Sequence, residues 1–270
     1  LLEHNAEPEG KDEYGQDELG IAKARNYKEI VTLLEKVKAE RIKKQNEYAL
    51  LEAIRAQDTA KVKLYLEKKV NPNSLLPNGE SILNYAVSAQ NVAIVKILLE
   101  AGANPNTQNE LGASALMTAV RYSNDTLLNL LIKHGVNINQ KDKRGRTALF
   151  YAVENNNASI LGILLRAGIN LNITDNYDMN AFLYACSTGN IPACKSLLQS
   201  GCQVSGKDLY GTTALHIAAQ KGSLALVRLL LTEGSVDVYA KDYRGNSALY
   251  YARKSGNDEI ATILEGEIEE

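Results

Sequence analysis

The sequence has few of the residues and runs that disulfide bonding or membrane insertion requires. It contains three cysteines in 270 residues. An odd number of cysteines cannot be fully paired, and free thiols in a chain of this size are typical of a reducing, intracellular compartment. No apolar run approaches the roughly 18–20 residues of a membrane-spanning helix. We therefore expect neither a disulfide framework nor membrane insertion.

The net charge is small and histidine is scarce. The formal net charge is −2, which predicts no strongly basic face and so no nucleic-acid partner. The three histidines form no H-E-x-x-H motif, and Ser205-Gly206-Lys207 lacks the upstream glycine spacing of a phosphate-binding loop. Cys186, Cys194 and Cys202 are spaced too widely for a zinc site and are interpreted as structural thiols. The sequence therefore predicts no catalysis, no metal and no cofactor.

What the sequence has is a period of 33 residues. Small core residues recur at this step, with one step of 34, as Ala53, Ala86, Ala119, Ala152, Ala185, Ala218 and Ala252. Apolar residues of a second helix follow it as Leu66, Leu99, Ile132, Leu165, Leu198 and Leu231. Turn residues follow it as Asn73, Asn106, Asn139 and Asn172. Three ladders with one period indicate a repeat protein.

One stretch carries a family signature. Residues 211–222 read GTTALHIAAQKG, which resembles the T-P-L-H-x-A signature of the ankyrin repeat. Together with the ladders, this resemblance covers nearly the whole chain. It implies an all-α solenoid of stacked helix-turn-helix units with short β-hairpin tips. It also implies a protein–protein interaction module, whose partner lies in the concave groove formed by the tips and the first helices.

The chain divides into segments according to where the 33-residue period is kept. Residues 1–34 are predicted to hold the tail of one repeat and a degenerate, cap-like repeat, and residues 35–47 a charged helical bridge. The bridge is interpreted as a solvated helix, with a hinge or docking surface as the alternative. Residues 46–270 are predicted to form a regular array whose last repeat is a cap. Its repeats are 46–75, 76–108, 109–141, 142–174, 175–207, 208–241 and 242–270.

The resemblance also assigns a binding surface by register. Tip and first-helix-end positions carry tyrosine and arginine, the residue types enriched at binding hot spots. The alternative is that the tip tyrosines only pack on neighbouring hairpins. A basic tip around Arg144 indicates an acidic feature in the partner. The predicted partner-binding residues are Arg121, Tyr122, Lys143, Arg144, Arg146, Tyr177, Met179, Tyr210, Tyr243 and Arg244.

Other positions have structural interpretations. Thr213 and His216 are expected to share the hydrogen-bond network that the family has at the start of a first helix. A second tyrosine ladder, which precedes the core alanine, is interpreted as packing between repeats: Tyr85, Tyr151, Tyr184 and Tyr251. Left-handed backbone is expected where Asp58, Asn91, Asn124 and Asn157 replace the usual glycine between helices. The family further implies hydroxylation by an asparaginyl hydroxylase at Asn106, Asn139 and Asn172.

The interaction module has two alternatives, which concern the whole protein. Residues 1–15 align with residues 98–112, so the chain is expected to be a fragment of a longer array that begins inside a second helix. The array could then be the targeting or regulatory portion of a larger enzyme, or of a secreted bacterial effector acting in the host cytosol. The other alternative is that the array is a spacer without a specific partner. The expected location is the cytoplasm.

Overall fold

A computed structural model describes residues 17–76, 78–233 and 235–269. The chain divides into two compact units, with the boundary between Ser74 and Leu75. In these ranges the chain forms fifteen α-helices and no strand. The predicted all-α class is confirmed. The hairpin tips are turns, three of which are closed by a single antiparallel β-bridge: Leu75–Ser81, Thr174–Asn180 and Lys241–Ser247.

The first unit contains three helices: α1 (Glu18–Ala24), α2 (Lys28–Arg55) and α3 (Thr59–Glu67). The Asp17 carboxylate caps α1 by accepting the Gly20 N–H at 2.7 Å. Helix α2 covers the predicted bridge at 35–47 and continues beyond both of its ends, because no glycine or proline interrupts residues 28–55. The predicted partial repeat at residues 1–9 lies outside the described residues.

The second unit is a stack of six helix pairs. First helices pack on first helices of the next pair, and second helices on second helices. The first helices are α4 (Ile82–Ser88), α6 (Ala115–Arg121), α8 (Ala148–Glu154), α10 (Ala181–Thr188), α12 (Ala214–Lys221) and α14 (Ala248–Lys254). The second helices are α5 (Val92–Glu100), α7 (Asp125–Lys133), α9 (Ala158–Arg166), α11 (Ile191–Gln199), α13 (Leu224–Glu233) and α15 (Asp258–Glu269).

The core of this stack follows the sequence period. The alanine ladder is buried throughout, as predicted, at Ala86, Ala119, Ala152, Ala185, Ala218 and Ala252. The second helices contribute a buried leucine ladder. Each leucine directly precedes a member of the apolar ladder that was identified in the sequence: Leu98, Leu131, Leu164, Leu197 and Leu230. A single pair cannot bury its faces alone, so each pair depends on its neighbours for a core.

The turn between the two helices differs from the sequence-based expectation by one residue. The left-handed residues are Gln57, Gln90, Ser123 and Asn156, with φ between 51° and 56°. The following residues, Asp58, Asn91, Asn124 and Asn157, have negative φ and cap the second helix instead. Their side-chain oxygens accept the N–H three residues on, which satisfies a donor at the helix start. The prediction of left-handed backbone at these four positions was therefore wrong.

The last pair differs from the others at one face of α14. In the other five first helices, the residue that follows the core alanine is small and buried: Val87, Val120, Val153, Cys186 and Ala219. The last one has Arg253, which forms an exposed ion pair at 2.6 Å with Glu265 of α15. A charged residue that is kept in water cannot be buried by a further repeat without losing hydration. The cap at residues 242–270 stays a prediction.

Candidate functional site

Backbone hydrogen bonds join five hairpin tips of the second unit, from residues 109–113 to residues 242–246. The N–H of Lys143 donates to the Leu111 carbonyl at 3.1 Å, and the N–H of Asn176 donates to the Arg144 carbonyl at 2.9 Å. The same bond recurs at 3.0 Å from Leu209 to Tyr177 and from Tyr243 to Tyr210. Consecutive tips are therefore held in one continuous row. Side chains from neighbouring repeats have fixed spacing along it.

The side chain at the start of the turn shapes five of the tips from within. In four repeats one carboxylate oxygen accepts the N–H groups two and four residues further on, at 2.8–3.1 Å; the aspartates are Asp142, Asp175, Asp208 and Asp242. Asn109 makes the same pair of contacts in its repeat. These bonds fix the tip backbone, so the residues at the turn point outwards.

Most of the predicted partner-binding residues lie on this row or at the adjacent first-helix ends. The four tyrosines are 50–73% exposed: Tyr122, Tyr177, Tyr210 and Tyr243. The cations Arg121, Lys143, Arg144 and Arg244 are exposed, and Met179 is half-buried. Large aromatic side chains that remain half in water are candidates for contact with another protein.

Arg146 is placed differently from the other predicted residues. Its side chain is only 15% exposed, and its Nε lies 3.8 Å from the Asp175 carboxylate of the next repeat. The centre of its guanidinium lies 4.7 Å from the ring centroid of Tyr184. Arg146 therefore joins two repeats, and its charge is directed to Asp175 rather than to the exposed tip.

A cavity of about 570 Å³ opens between two tips of the row. It is lined by Leu111, Ala113, Arg121, Asp142, Lys143, Arg144, Tyr151, Glu154 and Asn155. The Tyr151 hydroxyl donates to Asp142 at 2.5 Å. Burial and this hydrogen bond to a carboxylate raise the pKa of Tyr151 to about 12. The sequence had assigned Tyr151 only to packing. A tyrosine nine residues after the tip aspartate makes the same contact at Asp242 and Tyr251. At Asp175 and Tyr184, which have the same spacing, the ring lies against Arg146 instead.

The residues that could suggest chemistry have structural partners. Thr213 Oγ1 lies 2.7 Å from His216 Nδ1, and His216 Nε2 donates to the Asn246 carbonyl of the next repeat at 3.1 Å. This confirms the predicted network, and burial lowers the pKa of His216. Cys186, Cys194 and Cys202 are free and buried. In the part of the chain that the structure describes, no group of His, Cys, Asp or Glu is arranged to hold a metal ion.

Three turn asparagines also link repeats. The side-chain oxygens of Asn106, Asn139 and Asn172 accept backbone N–H groups of the following repeat at 2.6, 2.8 and 3.1 Å. At these three positions the turn asparagine therefore bonds from its side chain to the backbone of the neighbouring repeat. Hydroxylation of these residues stays a prediction; intact-mass measurement after exposure to an asparaginyl hydroxylase tests it by the gain of oxygen atoms.

A family model for ankyrin repeats in three copies matches residues 19–109, 50–142, 116–208 and 182–269. The chain belongs to the ankyrin repeat family. Ankyrin repeats are protein–protein interaction modules, and their stacked units form extended concave binding surfaces. Among solved structures, the ankyrin repeat domain of Bcl-3, a unique member of the IkappaB protein family, has a TM-score of 0.74 and 24% identity. The match covers 80% of this chain and 97% of that domain.

No curated protein matches the sequence of this ankyrin chain. None of the helices in the described ranges is long and apolar enough to cross a membrane.

Proposed function

We propose that this ankyrin array binds a partner protein through its hairpin tips and concave face, centred on residues 109–241. One observation carries the proposal. Tyr122, Tyr177, Tyr210 and Tyr243 are half or more exposed along one row of tips and first-helix ends. Tyrosine buries a large area on binding with few rotamers to lose, so such a row suits recognition better than solvation.

The hydroxyl groups distinguish these tyrosines from two members of the packing ladder. Tyr151 and Tyr251 donate to aspartates within their own repeats. Within the described residues, the hydroxyls of Tyr122, Tyr177 and Tyr210 make no hydrogen bond, so they remain available to a partner. Tip tyrosines can also serve the fold, since the Tyr243 ring lies against Gly211 of the preceding tip. Tyr243 is therefore left out of the test below.

Affinity capture from cell lysate, read by mass spectrometry, tests the proposal. The native chain is compared with a variant carrying Tyr122→Ala, Tyr177→Ala and Tyr210→Ala. A matched control carries Tyr27→Ala and Tyr48→Ala, because these tyrosines are equally exposed but lie in the first unit. We expect a partner that the control retains and the triple variant loses by more than about tenfold in affinity. Equal retention by all three chains would contradict the proposed surface.

The nature of the partner is the finer part of the proposal. Lys143 and Arg144 are exposed at one tip, and neither forms an ion pair with a described residue. This supports a partner with an acidic feature and gives no support to nucleic acid. We place the binding in the cytoplasm, on the ground that the free thiols of Cys186 and Cys194 suit a reducing compartment. Reading the full-length frame tests the alternative in which the array serves a larger enzyme or effector.

A further inference from the structure

The cavity between the tips at residues 109–113 and 142–146 is lined by three cations without an acidic partner. Arg121 ends helix α6, while Lys143 and Arg144 form the tip of the following repeat. All three are exposed, and none forms an ion pair within the described residues. Cations that converge on a concave site without a counter-ion hold a positive potential there, which attracts an anion.

The acidic groups of the cavity neutralise these cations only in part. Asp142 accepts the N–H groups of Arg144 and Arg146 at 2.9 and 2.8 Å with one oxygen, and the Tyr151 hydroxyl with the other. Both of its oxygens are therefore engaged with the tip backbone and the floor of the cavity. Glu154, at the exposed end of helix α8, is the second acid. Three cations and two acids leave one positive charge in the lining.

The geometry of this lining is held by residues behind it. Arg146 follows Arg144 by two residues, but its side chain pairs with Asp175 and lies over the ring of Tyr184. Asp175 in turn holds the N–H groups of Tyr177 and Met179, which shape the next tip. Arg146 therefore acts as a positioning residue. It ties the tip that carries Arg144 to the tip that carries Tyr177, and it leaves the cavity to Arg121, Lys143 and Arg144.

We propose that this cavity is an anion-recognition subsite that takes the carboxylate of one Asp or Glu side chain from an extended segment of the partner. The inference rests on the proposed function, because the ligand is part of the same partner protein. Arg121 and Arg144 supply the guanidinium groups whose planar donors match a carboxylate. A singly charged carboxylate balances the one excess positive charge. A doubly charged phosphoryl group would exceed it and would face Glu154 and Asp142.

Nuclear magnetic resonance titration with short capped peptides tests the subsite directly. The probe contains one central glutamate, and the matched probe has glutamine in its place. We expect the glutamate peptide to shift the side-chain Nε–H signals of Arg121 and Arg144, and the glutamine peptide to leave them unchanged. Absence of a shift with the glutamate peptide, or an equal shift with both peptides, would overturn the proposal.

Variants and a third peptide sharpen the test. The double variant Arg121→Gln, Arg144→Gln is expected to weaken binding of the glutamate peptide by at least about tenfold. The control Arg166→Gln, at an exposed position of helix α9 outside the cavity, is expected to change it by less than about twofold. Tighter binding of a phosphoserine peptide than of the glutamate peptide would overturn the choice of a carboxylate. Unchanged thermal unfolding midpoints confirm that these exposed substitutions leave the fold intact.

The capture experiment distinguishes failure of this inference from failure of the proposed function. A partner that is lost by the tyrosine variant but kept by Arg121→Gln, Arg144→Gln would retain the proposed surface and contradict the subsite. The opposite result is binding of the glutamate peptide at Arg121 and Arg144 together with a partner that the triple tyrosine variant keeps. It would support the subsite and contradict the tyrosine row.

Discussion

The hydroxyl of Tyr251 donates a 2.6 Å hydrogen bond to the carboxylate of Asp242, as Tyr151 does to Asp142 earlier in the array. In both repeats the second oxygen of the same aspartate accepts two N–H groups of the hairpin tip. The tyrosine of the first helix is thereby connected to the tip through one carboxylate. This relationship couples the helices to the tip row that carries the proposed binding surface.

The pH dependence of Asp242 tests that connection. The Tyr251 hydrogen bond, with those of the tip amides, lowers the pKa of Asp242 to about 2. The contribution to stability is therefore complete above the unfolded pKa, about 3.9, and is lost as pH falls towards 2. Tyr251→Phe keeps the ring and removes the largest cause. We expect carbon-detected titration to show a raised Asp242 pKa in this variant; an unchanged pKa would contradict the assignment.

Arg146 is expected to matter for stability rather than for contact with a partner. Arg146→Ala leaves the buried Asp175 without its ion pair and Tyr184 without its stacked cation. We expect a loss of about 1–3 kcal/mol in the free energy of unfolding, measured by urea denaturation. The exposed neighbour provides the control, since Arg144→Ala should change stability by less than about 0.5 kcal/mol. Equal effects of the two substitutions would show that Arg146 is not a link between repeats.

Two glycines in the same repeat separate backbone strain from tip packing. Gly145 and Gly168 have φ of 77° and 78°, so alanine is strained at either position. A Cβ at Gly145 would lie 2.6 Å from Asn176 Oδ1 and 2.9 Å from Asn176 N, whereas one at Gly168 would meet nothing within 4 Å. Gly168→Ala should cost about 1–2 kcal/mol. Gly145→Ala should cost about 1–3 kcal/mol more, because the tip row must shift. Equal losses in urea unfolding would contradict close packing of the tips.

The cysteines are expected to report on unfolding of their repeat. The sulfurs of Cys186 and Cys194 lie 3.7 Å apart and are fully buried. Their mutual hydrogen bond and burial raise the pKa of Cys186, and burial raises that of Cys202 to about 11. Thiol-specific labelling should therefore be slow in buffer and complete in denaturant. Rapid labelling of the folded protein at neutral pH would show that this repeat opens easily.

The sequence by itself determined the architecture of the repeats. The alanine ladder had to be buried, because a small residue at every 33rd position lets neighbouring first helices approach closely, and all six alanines of the second unit are buried. The same period located the tip tyrosines. It placed the left-handed residue one position too late, since Asn91 and Asn124 serve better as helix caps than as turn residues. Local hydrogen bonding decides that choice, and periodicity alone does not report it.

Only the tertiary structure decided which cations stay available for a partner. By register Arg144 and Arg146 were equivalent members of one basic tip. In the fold, Arg146 reaches Asp175 in the next repeat, and Arg121 joins Arg144 at the cavity from a different repeat. A repeat pattern fixes the position of each backbone segment. The direction of a long charged side chain depends on which acid or aromatic ring from a neighbouring repeat comes within a few ångströms of it.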